Sequence, residues 1–328
     1  MVKDALFWKK INANTVQCML CARYCNIKEG KKGNCGVRQN IKGNLKSLVY
    51  GKIISKAVDP VEKKPLYHFY PGTKVLSIAT VGCNFHCSFC QNWEISQEAR
   101  IIGKTTTPKE IVGIAIKNNC DGIAYTYTEP TIFYEFAIDV AKLAKKQGLY
   151  NVFVTNGYIA KEPLDMISPY LDAANVDLKS MSDTFYQTVC GVPSVKPVLD
   201  TIKRMIDLGI HTEITNLLIP GLNDSPEDIS KLITWVKNAG KNIPLHFSAY
   251  YPAYKLTAPP TPIQTLIKAF EMAKKAGLNH VYLGNIQDDG YSNTHCPTCN
   301  KVVIRRKGYN VENYLLNNRC ANCKTKVI

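Results

Sequence analysis

Between residues 75 and 295, short continuous apolar runs alternate with stretches whose apolar residues recur every three or four positions. The runs at 75–80, 122–127, 151–156, 174–178, 211–217, 245–250 and 280–283 predict strands. The stretches at 108–118, 132–147, 197–208, 226–238 and 262–276 predict helices. Their ends carry the expected signals. Thr107 and Ser225 stand as N-caps before Pro108 and Pro226, and Gly148, Gly209 and Gly277 follow the last helical residues. Regular strand–helix alternation with short connections implies a parallel sheet with right-handed crossovers. Six or seven such units suit an open or partial barrel better than a doubly wound sheet. In either architecture, functional side chains gather at the carboxyl ends of the strands.

The flanks break this rhythm. Residues 1–74 are loop-rich, with glycines at 30, 33, 36, 43 and 51, and residues 296–328 form a compact tail with two Cys-x-x-Cys knuckles. Three parts are therefore expected: a cysteine-rich basic segment over 1–74, a core over 75–295, and a ribbon-like segment over 296–328. Charge follows the same division. Residues 1–74 carry 15 Lys and Arg against 4 Asp and Glu, and residues 296–328 carry 7 against 1, while the core carries 19 against 21. The excess suits an acidic partner such as nucleic acid, but no aromatic–basic binding module accompanies it, so basic residues offsetting metal-bound thiolates are the favoured reading. At 45% hydrophobic and 20% charged, the chain reads as globular. No apolar run reaches the length of a membrane span, and the first residues lack the apolar stretch of a signal peptide. No membrane partner and a cytoplasmic location are expected.

The 13 cysteines decide the chemistry. Eleven fall in three clusters, and clustered thiols in a reducing compartment read as metal ligands. The central cluster is Gly82-Cys83-Asn84-Phe85-His86-Cys87-Ser88-Phe89-Cys90, just after the first core strand. A 4Fe–4S cluster normally takes four thiolates. Three thiolates in one tight loop leave one iron open to a substrate, as an open catalytic zinc site does. The competing reading is zinc on the three cysteines with His86 as fourth ligand.

The Cys-x3-Cys-x2-Cys spacing resembles the signature of the radical S-adenosylmethionine superfamily. Segments His68-Phe69-Tyr70-Pro71-Gly72, Cys90-Gln91-Asn92-Trp93-Glu94 and Tyr125-Thr126-Tyr127-Thr128-Glu129-Pro130 extend the likeness. They resemble the radical member of the AmmeMemoRadiSam trio, itself similar to pyruvate formate-lyase activating enzymes. The resemblance implies a partial (βα)6-type TIM barrel and reductive cleavage of S-adenosylmethionine to a 5′-deoxyadenosyl radical. It implies an electron donor such as flavodoxin or ferredoxin, a small-molecule or protein substrate, and Memo-like and AMMECR-type partners. It also assigns site residues. Phe89 would pack near the adenine. Glu129, after Tyr127-Thr128 where relatives have two glycines, would receive the ammonium of the cofactor. Asn156, in Val154-Thr155-Asn156-Gly157, would be a polar contact, and Lys179 would pair with the cofactor carboxylate. Asn216 would reach the ribose and adenine, and His246 would lie near the cofactor.

The outer cysteines add further sites. Cys296, Cys299, Cys320 and Cys323 have near zinc-ribbon spacing and suit zinc or iron. Cys18, Cys21, Cys25 and Cys35 form a second four-thiolate set, read as zinc or a second 4Fe–4S cluster, with zinc favoured. Cys190 stands alone after the fourth strand, a candidate hydrogen-atom donor or a plain buried thiol. Radical modification of RNA and a non-catalytic Fe–S or zinc protein are the competing functions.

Overall fold

The computed structural model describes residues 2–98, 100–287 and 289–328. Eight strands form its main sheet: β1 (Ser55–Pro60), β2 (Lys74–Ala79), β3 (Gly122–Tyr125), β4 (Tyr150–Thr155), β5 (Ala173–Asp177), β6 (His211–Leu218), β7 (Leu245–Ala249) and β8 (Val281–Gly284). From β2 to β8 every strand pairs in parallel with the next in chain order, and β1 runs antiparallel along β2. The order never reverses, so the sheet lacks the switch point of a doubly wound fold. All seven parallel strands instead deliver their carboxyl ends to one edge.

Each expected strand is present with its ends moved by at most two residues. The helices between them are α1 (Pro108–Lys117), α2 (Tyr134–Lys146), α3 (Lys161–Ile167), α4 (Lys196–Asp207), α5 (Pro226–Ala239) and α6 (Ile263–Lys275). Thr107 caps α1 in a reciprocal capping box with Glu110, and Ser225 caps α5 through Asp228 N. α2 starts two residues late because Pro130–Phe133 form a 3₁₀ turn. α3 escapes the periodicity because it is a seven-residue helix with Pro163 in its first turn.

Two small layers flank the sheet. Before β1, residues 2–54 form two three-stranded antiparallel pieces, one of Trp8–Asn12, Thr15–Cys18 and Asn26–Lys28 and one of Lys3–Asp4, Asn44–Ser47 and Arg38–Ile41. This layer docks on the segment after β4, where Ala22 N donates to Tyr158 O at 3.0 Å and Ala160 N to Leu20 O at 3.1 Å. Part of the expected 1–74 segment, β1, belongs to the main sheet.

The C-terminal segment contributes a three-stranded antiparallel sheet of Thr294–His295, Val302–Lys307 and Asn310–Asn313. Arg306, 1% exposed, fastens it to the core. Its guanidinium donates to Tyr67 O at 2.6 Å and Thr294 Oγ1 at 3.0 Å, and lies 4.2 Å from the Tyr67 ring centre. Tyr67 and His68 in turn donate their amides to Glu213 on β6, at 3.0 and 2.7 Å. The His68–Gly72 motif thus braces the tail against the sheet. No helix among the described residues is long and apolar enough to cross a membrane.

The same brace buries two neutral histidines. His68 and His280 lie with ring centres 4.3 Å apart. Burial pushes His280 down to about 4 and His68 well below its ordinary value. The unfolded chain takes up these protons near pH 6.5 and the folded chain does not, so stability is lost as pH falls from about 6.5 towards 4. For His280 alone the loss is at most roughly 3 kcal/mol. Denaturant midpoints measured from pH 7 to pH 4.5 should fall, and His280→Gln should flatten that slope; an unchanged slope would reject the assignment.

Candidate active site at the carboxyl edge

After β2 the chain turns at Gly82 with φ +94°, a conformation that favours glycine. A Cβ here would lie 2.6 Å from both Cys35 O and Val37 Cγ1, so the cysteine loop is pressed against the N-terminal layer. The loop is pinned on its other side as well. His86 N donates to Cys190 O and Ser88 N to Val189 O, both at 2.9 Å.

Each thiol of Cys83, Cys87 and Cys90 has a polar neighbour. Cys83 Sγ accepts from Phe85 N at 3.4 Å and from Asn156 Nδ2 at 3.8 Å. Cys87 is hydrogen-bonded to the Cys190 thiol, which pulls it below its ordinary pKa. Cys90 Sγ lies 3.1 Å from Ser96 Oγ. Burial raises Cys83 and Cys90; Glu129, Cys87 and Cys90 add to the rise of Cys83, and Cys87 to that of Cys90. Lys179 supplies the compensating charge. Burial opposes its protonation, but Asp177 at 2.9 Å and the Cys87 and Cys190 thiols outweigh burial and hold it well above its usual range.

These features fit a 4Fe–4S cluster: three thiols on one short loop, donors to the sulfurs, and a buried cation beside them. They fit a single zinc ion less well. The triplet is absent from the one group of ligating side chains, among the described residues, whose ligand atoms all lie within 4.8 Å of one another. His86 is also turned elsewhere, with Nδ1 2.6 Å from Gln97 Oε1.

Glu129, Asn156 and Lys179 follow β3, β4 and β5 and converge on this loop. The Glu129 carboxylate, 1% exposed, accepts from Thr131 N, Thr131 Oγ1 and Thr155 Oγ1 on Oε1, and from Asn156 N at 2.8 Å on Oε2. Burial raises its pKa against those hydrogen bonds. Oε2 keeps acceptor capacity for another donor. Asn156 links this carboxylate to the loop, since its Nδ2 also meets Asn84 Oδ1 at 2.8 Å. Tyr127 adopts φ 63°. The strain is held by Tyr127 OH on Asp59 at 2.5 Å and by Asn92 Nδ2 on Tyr127 O at 2.8 Å. Phe89 is buried, with Lys179 Nζ 5.5 Å from its ring centre.

Two expected residues lie elsewhere or do other work. Asn216 is buried, and its Nδ2 donates to Leu178 O at 2.8 Å and Lys179 O at 3.2 Å, so it braces the turn carrying Lys179. His246 joins the brace instead of the cysteine loop. Its Nε2 meets Glu213 Oε2 at 2.7 Å, and its ring packs on Tyr67 and Tyr282. Cys190 is fully buried, and burial together with the Cys87 hydrogen bond raises its pKa far above the usual thiol range. It acts on Cys87 directly. Asn84, Thr155 and Ser96 were not singled out by the sequence. For Asn84 and Thr155 the available signal was their place inside the cysteine motif and the 154–157 motif; Ser96 gave none.

At the C-terminus, Cys296 and Cys323 sulfurs lie 3.4 Å apart and Cys299 and Cys320 sulfurs 3.6 Å, with all four within 4.8 Å. A tetrahedral zinc site with bonds of about 2.3 Å has sulfur–sulfur edges of roughly 3.8 Å. The set therefore suits one ion.

The sequence profile of the Radical SAM superfamily matches residues 77–236. An uncharacterised protein of Methanocaldococcus jannaschii is 46% identical over 333 residues, covering 99% of either chain. A pyruvate formate-lyase-activating enzyme of Clostridium pasteurianum is 28% identical over 163 residues, covering 48% of this chain and 67% of its own. The crystal structure of a radical SAM methyltransferase from Sphaerobacter thermophilus aligns with a TM-score of 0.53 at 15% identity, over 66% of this chain and 67% of that one, a likeness of fold.

The paired change Cys320→Ser and Cys323→Ser should remove about one bound metal ion per chain. It should also speed amide exchange over residues 294–328 while β2–β8 stay protected. Unaltered metal content by elemental analysis would reject the site.

Proposed function

We propose, from the premise that this chain belongs to the Radical SAM superfamily, that it is an activating-enzyme-like catalyst of reductive S-adenosylmethionine cleavage. Cys83, Cys87 and Cys90 would hold its 4Fe–4S cluster, and the sheet would be the superfamily's partial barrel, open at the carboxyl edge. When bound, such a cluster supplies one electron to the sulfonium, giving methionine and a 5′-deoxyadenosyl radical.

The chain's own residues perform the binding. Lys179, charged at any physiological pH, offers the cation for the cofactor carboxylate, and Asp177 aims it. Glu129, with acceptor capacity left on Oε2, offers the anion for the ammonium group. Phe89 offers a face for the adenine, and Asn156 holds Glu129 and Cys83 in fixed relation. Cys190, by donating to Cys87, stabilises negative charge on that sulfur. The single observation that carries the reading is the convergence of three thiols with a buried cation and a buried carboxylate from successive strand ends. Homology to activating enzymes favours a residue on a partner protein as the target, with a small molecule as the other class. The motifs at 68–72, 90–94 and 125–130 support a place in the AmmeMemoRadiSam branch, with Memo-like or AMMECR-type partners and a flavodoxin- or ferredoxin-type donor.

Anaerobically reconstituted protein given S-adenosylmethionine and dithionite should release 5′-deoxyadenosine, and Cys90→Ala should abolish the release. Lys179→Met should retain its iron yet bind S-adenosylmethionine about tenfold more weakly, the loss of one charge-assisted contact. Deoxyadenosine from Cys90→Ala, or an unchanged Kd in Lys179→Met, would count against the scheme.

A further inference from the structure

The N-terminal cysteines are arranged quite unlike the C-terminal ones. Cys18, Cys21, Cys25 and Cys35 line one partly open cavity of about 20 Å³, together with apolar Leu20 and Ile27. No thiol–thiol hydrogen bond joins them, whereas two join the C-terminal set. Nor do any three of them belong to a group with all ligand atoms within 4.8 Å. A lone zinc draws four sulfurs to edges of roughly 3.8 Å and leaves no room inside. Four thiols that share one cavity but stand wider than a single ion draws them call for a larger inorganic core.

Two buried donors on the same cavity wall lack partners. Arg38, 2% exposed, bonds Glu135 through Nη1 at 2.9 Å but leaves Nε without an acceptor. Asn84, fully buried, accepts from Asn156 through Oδ1 and leaves its Nδ2 unpaired. A buried guanidinium N–H and amide N–H without acceptors are costly, unless a ligand rich in negative sulfur fills the space.

We propose that Cys18, Cys21, Cys25 and Cys35 hold a second 4Fe–4S cluster, ligated by thiolate at every iron, whose wall is shared with the Cys83–Cys90 loop. The sharing is direct. Asn84, the neighbour of Cys83, lines the cavity; Arg23, also on its wall, donates through Nε to Asn84 O; and Gly82 abuts Cys35 O. The relay role, which rests on the reading of the central loop given above, follows from that contact. A small iron–sulfur or flavin donor protein reduces the N-terminal cluster by one electron. That electron then passes to the central cluster, returning the N-terminal one to its starting state, with no bond made or broken.

The test is acid-labile sulfide in the full chain after anaerobic reconstitution, a count that the C-terminal metal does not affect. Wild type should hold about eight sulfides, and the Cys83→Ala, Cys87→Ala, Cys90→Ala triple variant about four. Four in wild type and none in the variant would overturn the second cluster and leave the central one standing. Four in both would uphold the N-terminal cluster and sink the central one. Should the triple variant not fold, Mössbauer spectra of wild type decide. S-adenosylmethionine should shift about one iron in eight; one in four would mean a single cluster at the central loop and overturn the proposal.

Discussion

Sulfur that must carry negative charge inside a low-dielectric interior is the constraint on which this structure turns. A buried thiol prefers to stay protonated, and burial raises Cys83, Cys90, Cys21 and Cys35 accordingly. A metal cluster reverses that preference only where donors and cations are already in place. The fold provides them from separate elements: Lys179 after β5, Asn156 after β4, Cys190 in the turn before α4, and Arg38 from the N-terminal layer. Parallel strands in unbroken order are what allow these groups to meet, because each strand ends beside the next.

The opposite requirement governs the brace behind the sheet. There a single carboxylate, Glu213, accepts from two backbone amides and from His211 and His246, and its pKa is held well below the ordinary carboxylate range against burial. Around it the His68–Gly72 motif, Tyr282 and Arg306 form one connected polar network. Most of its polar atoms are paired, though Arg306 Nε is buried without a hydrogen-bond partner, and the network ties the tail, the motif and the sheet together. The C-terminal ribbon, too small for a core of its own, has four gathered thiols that could hold a metal ion at one end and Arg306 at the other.

Much of this was legible in the residues themselves. The strands of the core were found within two residues because buried parallel strands are long apolar runs bounded by caps and glycines. The helix α3 was not, since seven residues with an internal proline give too little periodicity. At the site, the spacing of Cys83, Cys87 and Cys90 and the strand-end positions of Glu129, Asn156 and Lys179 led to residues that the fold does gather. Asn216 lies towards the carboxyl end of β6 and braces a turn, whereas His246 is the second residue of β7, at its amino end, and joins the Glu213 network. Strand position tells which edge a residue approaches, but its partners come from segments distant in sequence, here Leu178 and Tyr67.

By itself the sequence determined the elements, their alternation, and the grouping of thiols into three sets, because periodicity and ligand spacing are local properties of the chain. Only the tertiary structure decided what each set encloses. Two Cys-x-x-Cys knuckles close to the span of one ion at the C-terminus, while four irregularly spaced cysteines stand wider around one cavity at the N-terminus. That difference arises because the separation of sulfurs across a site depends on how whole layers dock, through contacts such as Gly82 on Cys35 and Ala22 on Tyr158 that no local pattern encodes.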